Sequence, residues 1–123
     1  MTTKNTYQIL SPGGIFRLVV PDLEILAKNY VESDDPDAAE KFMRATSLGR
    51  VRRSRSLLEF LKLWLGNSTH LWMWDYKSLK HELRSVGFRD IRRALYGDCE
   101  EPKFMDVENS ERFRNAVCVE CRK

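Results

Sequence analysis

One run of six residues, Ile15-Phe16-Arg17-Leu18-Val19-Val20, constrains the fold more than any other feature of the sequence. It follows a Ser11-Pro12-Gly13-Gly14 turn and stops at Pro21-Asp22. A nearly continuous apolar run of this length reads as a strand inside a sheet, with helices over its faces and strands on both sides. Few residues precede it, so its neighbours must come from later in the chain or from a part of the fold that these 123 residues do not contain. An edge left open beside Phe16, Leu18 and Val20 is a template for pairing. A symmetric homodimer, with or without exchanged segments, is the expected way to close it.

The remaining pattern is mostly helical. Asp22 is a good N-cap for a helix reaching about Glu32, with Leu23, Leu26, Ala27 and Tyr30 near one face. Asp35 as N-cap and Pro36 at the first helical position open a second helix through Ala38, Ala39, Phe42 and Met43, with Gly49 as its stop. Ser56 to Glu59 form a capping box for a third helix, residues 57 to 65, which is apolar nearly all round and closes at Gly66. Asp75 caps a fourth, with Leu79, Leu83 and Val86 on one face and Gly87 as its stop. Residues 90 to 96 and 115 to 121 have strand character. The second of these is apolar on both faces, which places it centrally and antiparallel between strands 15 to 20 and 90 to 96. An acidic connection from Gly97 to Arg114, with one helical turn near Ser110, joins them. The expected architecture is α/β: a small mixed three-stranded sheet with three to four helices, in one domain over residues 1 to 123.

Composition narrows the classes of function. No apolar stretch approaches the roughly 18 to 20 residues that span a bilayer, and Met1 to Thr6 opens no signal-peptide pattern, so a cytoplasmic protein without a membrane partner is expected. Three cysteines, Cys99, Cys118 and Cys121, are an odd count and do not suggest a disulfide framework. Cys118 and Cys121 have the spacing of metal and redox sites, but positions i and i+3 of a strand face opposite ways, so no metal site is expected. The net charge is +3, unevenly placed. Lys41, Arg44, Arg50, Arg52, Arg53, Arg55 and Lys62 stand against Glu59 alone between Lys41 and Trp64. Such a cluster can hold an acidic partner, yet it lacks the interleaved aromatics of single-strand binders, which argues against nucleic acid.

The segments LSPGGIFRLVVPDLE and HLWMWDYKSLKHELRSVGFRDIRRALYGD resemble the carboxy-terminal half of class I S-adenosylmethionine-dependent methyltransferases of the large bacterial type 11 group. In that family a leucine-x-Pro-Gly-Gly turn joins a helix to the fifth strand of a Rossmann-like sheet. A helix ending in L-x-x-x-G-F precedes the sixth strand, and an antiparallel seventh strand ends the fold. The resemblance therefore implies a partial Rossmann-like methyltransferase fold. The family holds S-adenosylmethionine with its first half, through a glycine-rich loop and a ribose-binding acid. Nothing here matches them: Gly13-Gly14 lacks the G-x-G-x-x-G spacing and precedes a strand instead of following one. The resemblance thus implies a truncated form with no cofactor binding of its own, completed by a missing amino-terminal half or associated as a dimer.

The best place for substrate contact is His70 with Trp72, Trp74, Asp75 and Tyr76, where an imidazole, three aromatic rings and a carboxylate follow one another closely. The competing role is structural, with Asp75 as a helix cap and the tryptophans as packing. No catalytic residue is assigned. Two functions stay open: a methyltransferase-like fragment, whose intact relatives methylate oxygen, nitrogen or carbon of a small or saccharide-like substrate, and a small non-enzymatic binding module that uses the basic segment 44 to 55 for an acidic or nucleic-acid partner.

Overall fold

A computed structural model describes residues 3–47 and 72–123. The chain divides into two compact units, Met1–Ile25 with Trp74–Lys123, and Leu26–Met73. The helix expected over residues 57 to 65 and most of the basic segment 44 to 55 lie outside the described residues.

The first unit holds the sheet. Strand β1 (Ile15–Pro21) follows helix α1 (Thr3–Ile9), strand β2 (Arg89–Ala94) follows helix α4 (Tyr76–Val86), and strand β3 (Ala116–Arg122) closes the chain. The spatial order is β1-β3-β2. Phe16 stands opposite Cys121, Leu18 opposite Val119 and Val20 opposite Val117, while Ala94 pairs with Cys118 on the other side. The expected central position of the last strand is thus observed. The sheet is not mixed, however: β3 runs antiparallel to both neighbours. Because β1 and β2 point the same way but never touch, the single reversed strand between them makes every pairing antiparallel.

Alternation along the strands sorts side chains onto two faces. Val117, Val119 and Cys121 face Leu79, Leu83 and Phe88 in one buried apolar cluster, which Phe16, Leu18, Val20, Tyr7, Trp74, Tyr76 and Ile91 complete. Helix α4 supplies most of that cover because Leu79, Leu83 and Val86 recur at three- and four-residue spacing. Asp75 starts the helix with a capping box, its carboxylate accepting from the Ser78 backbone N–H at 2.8 Å. Gly87 ends it at φ 115, a left-handed conformation that favours glycine, and Phe88 then folds onto the core, 5.0 Å from the Tyr7 ring and 5.6 Å from Phe16.

The connection between β2 and β3 contains two 3-10 turns, Pro102–Asp106 and Ser110–Phe113, where one was expected. β2 ends at Ala94 instead of residue 96, leaving Leu95 and Tyr96 exposed. Helix α2 (Leu23–Val31) begins as expected, with the Asp22 carboxylate accepting from the Glu24 N–H at 3.0 Å.

In the second unit, helix α3 (Ala38–Thr46) starts after Asp37, not at Asp35-Pro36, and stops at Ser47 with φ 55, ahead of Gly49. The reason is local. Asp35 and Asp37 both pair with Lys41, at 2.7 and 3.0 Å, so the Asp35 carboxylate is drawn to a cation a turn away instead of to a helix N–H. Tyr30 and Phe42 bring their rings to 5.5 Å.

Candidate functional site

The carboxyl ends of β1 and β2 lie at the same end of the sheet, and of the residues singled out for substrate contact Trp74 lies there, with Asp75 and Tyr76 following it. Asp22, the first residue after β1, bridges Trp74 in a parallel sense, and the Leu23 N–H donates to the Trp74 carbonyl at 2.9 Å. The Asp22 N–H in turn donates to the carbonyl of Asn115, just before β3. A carboxylate that is 1% exposed thus sits where the end of β1, the approach to α4 and the entry to β3 meet.

Each sequence-predicted residue takes a definite place. Trp74 and Tyr76 pack against the apolar core, and Trp72 is 69% exposed. The Tyr76 ring has the Arg93 guanidinium 4.9 Å from its centre and the Lys80 ammonium at 5.7 Å, so its π-face is occupied by cations. Asp75 is committed to the helix: bonds from the Ser78 backbone and hydroxyl hold its carboxyl below the ordinary carboxylate range. His70 lies outside the described residues. The structure therefore brings Trp74, Asp75 and Tyr76 to one corner with Asp22 and Arg93, which were not anticipated, and it gives Asp75 the structural role.

A second constellation was missed. Glu120 of β3 stands opposite Arg17 of β1 and Arg92 of β2. Arg17 reaches Glu120 at 3.1 Å and Arg92 reaches it at 2.7 Å. Arg17 also donates from Nε to Glu108, from Nη2 to Glu108 at 3.4 Å and to the Leu95 carbonyl at 2.6 Å, and from Nη1 to the Asp98 carbonyl at 2.7 Å. These five bonds use all five guanidinium donors. Burial pulls the Arg17 pKa down, but the bond to Glu108 and the surrounding carboxylates outweigh it and the net shift is upward. Bonds that Arg92 donates to Asp98 and Glu120 raise its pKa. The network fastens the 95 to 114 connection across the second face of the sheet. The signal in the sequence was a single charge inside each apolar run, Arg17 in IFRLVV and Glu120 in VCVEC.

Cys121 belongs to the apolar cluster, whereas Cys118 lies on the face of Arg17 and Glu120. Burial pushes the Cys118 thiol up to about 11 and the Cys121 thiol up to about 12. Both are protonated near neutrality, on opposite faces, as the i, i+3 spacing predicted. No group of three or more potential metal ligands occurs among the described residues.

The glycine pair Gly13-Gly14 is built for a turn. Gly13 has φ +76 and open space where a side chain would stand, and a Cβ on Gly14 would meet the Ser11 carbonyl at 2.9 Å. The Gly14 N–H donates to the Ser11 carbonyl at 2.9 Å, closing a tight turn that leads into β1. In the second unit a shallow groove is lined by Tyr30, Val31, Ser33, Asp35, Pro36, Ala38 and Ala39, without a glycine-rich loop. Of the basic segment only Arg44 is a described basic residue, and it pairs with Glu40 at 2.6 Å. No helix among the described residues is long and apolar enough to cross a membrane.

Comparison of the chain with protein-family models, with curated proteins and with solved structures finds no match.

Proposed function

We propose that the chain is a methyltransferase-like fragment: the carboxy-terminal, substrate-side part of a class I S-adenosylmethionine-dependent fold, without cofactor binding of its own. The observations that support this reading are the placement of β3, antiparallel between β1 and β2, and the helix ending in Gly87-Phe88 that leads into β2. That is the kind of ending the resemblance implies. A cytoplasmic location goes with it.

On this reading the chain contributes a surface and not a reaction. Trp74, Tyr76 and Arg93, at the carboxyl ends of β1 and β2, offer aromatic and cationic contact to a small polar substrate, with Trp72 and His70 nearby in sequence. Ligands of open sheets bind beyond such strand ends. Asp75 holds the helix that carries Tyr76. Across the open edge of β1 the fragment associates with a partner, a second copy or an amino-terminal half. Calorimetric titration of the isolated chain with S-adenosylmethionine is expected to give no signal, and a stoichiometric micromolar signal would overturn the half-protein reading. Fused behind the cofactor-binding half of a class I methyltransferase, the chain should yield a protein that binds the cofactor. A folded fusion that does not bind sinks the family assignment.

A further inference from the structure

We infer that the outer edge of β1 is a self-complementary docking strip, and that its occupant is β1 of a second copy, antiparallel and centred on Arg17. The inference deepens the proposed association across that edge and depends on nothing about the cofactor.

The backbone sets the strip. Lys123 donates to the Gly14 carbonyl and Asp22 to the Asn115 carbonyl, so the even-numbered residues of β1 are the ones that exchange hydrogen bonds with β3. Hydrogen-bonded and non-bonded pairs alternate in an antiparallel ladder, so the N–H and C=O groups of Ile15, Arg17 and Val19 point outward. Among the described residues nothing pairs with them. Arg17 gives independent support: its side chain is 1% exposed, yet the residue as a whole is only half-buried. What water reaches at Arg17 is its main chain.

The strip ends on both sides. Pro21 has no N–H to offer, and just beyond it Asp22 is already bridged to Trp74. At the other end Gly13 spends its N–H on the Lys123 carbonyl. Three donors and three acceptors remain, spaced evenly about Arg17. A row of alternating partial charges is complementary to another extended chain, and the twofold centred on Arg17 matches every one with its counterpart: Ile15 with Val19 of the second copy, Arg17 with itself, Val19 with Ile15. Moving the centre to Leu18 sets Ile15 against Pro21 and loses donors; moving it to Phe16 sets Val19 against the spent Gly13. Two guanidinium groups approach in the chosen register, but each is already neutralised within its own chain by Glu108 and Glu120. A strip this short buries less than the roughly 1,200 Å² of a tight complex, so the dimer is in exchange with its monomer.

The test is sedimentation equilibrium of the unmodified chain from micromolar to millimolar concentration, with amide exchange followed by NMR over the same range. We expect the mass to climb from one copy toward two, while the amides of Ile15, Arg17 and Val19 pass from fast to protected. Val19→Pro removes an outward N–H and leaves the bonds to β3 intact, and should weaken association at least tenfold. In a mixed-isotope sample a contact between the Cα protons of Phe16 and Leu18 of different copies identifies the register. A monomer at all concentrations overturns the inference, as does a dimer in which those three amides stay fast or which Val19→Pro leaves intact. Protection that does not vary with concentration overturns it too, since the chain itself then covers the strip. Should Val19→Pro fail to fold, the exchange data on the unmodified chain decide. None of these readouts involves S-adenosylmethionine, so their failure is separate from failure of the family reading.

Discussion

Arg17 on β1 and Glu120 on β3 stand directly opposite each other, and their side chains are 1% and 3% exposed. A buried pair of this kind is not in itself a source of stability, because both ions have left water. Removing one partner is a different matter, since it strands the other.

Arg17→Met should therefore lower the unfolding free energy by about 3–5 kcal/mol, the usual result when a buried charge loses its counterion. Arg17→Lys should recover little of it, because an ammonium cannot reproduce five donors in a planar fork. Urea unfolding followed by circular dichroism measures both. A loss below about 1 kcal/mol, the level of an exposed pair, would show that the network is solvated.

Asp75→Ala removes the capping box and should cost about 0.5–2 kcal/mol, whereas Asp75→Asn, which keeps an acceptor for Ser78, should cost much less. Equal losses for the two variants would mean that the charge of Asp75, and not its cap, is what matters.

Thr6 is 5% exposed in α1, and its hydroxyl has no hydrogen-bond partner among the described residues. Thr6→Val replaces that hydroxyl by a methyl of similar shape and should leave the melting temperature unchanged or raise it. A clear drop would show that the hydroxyl is satisfied in solution.

Stability should fall on both sides of neutrality. Asp75 and Asp98 have folded pKa values held down, by the Ser78 bonds and by Arg92 respectively, so their contribution is complete above the ordinary carboxyl value of about 3.9 and is lost as pH falls through the lower folded values. Cys118 and Cys121 are shifted the other way. Their contribution is complete below the unfolded thiol value of about 8.5 and is lost as pH rises toward the folded values of about 11 and 12. Urea midpoints against pH should show both limbs, and Cys121→Val should make the alkaline limb shallower. At neutral pH a thiol reagent should modify Cys99, which is partly exposed, well before the two buried cysteines. Rapid reaction of all three would contradict their burial.

Much of the first unit was legible in the sequence because its signals are local. The Asp75 cap, the Leu79-Leu83-Val86 stripe and the Gly87 stop depend on residues within one helix, and each could be read without knowing what lay opposite. The central place of β3 was also readable, since a strand apolar on both faces needs cover on both. The start of α3 was not, because Asp35, Asp37 and Lys41 compete for one another across a turn, and that competition is settled only when the helix exists. Nor was the charge network. Arg17, Arg92, Glu108 and Glu120 are separated by up to 103 residues, and nothing in their local spacing says that antiparallel register will set two arginines against one glutamate. The candidate site divides the same way: the sequence by itself marked Trp74, Asp75 and Tyr76 as one segment, while the tertiary structure alone placed Asp22, Asn115 and Arg93 beside or around it. The cap that the sequence already offered for Asp75 is the role it takes, because a carboxylate next to unpaired helix N–H groups is held by them before any substrate can use it.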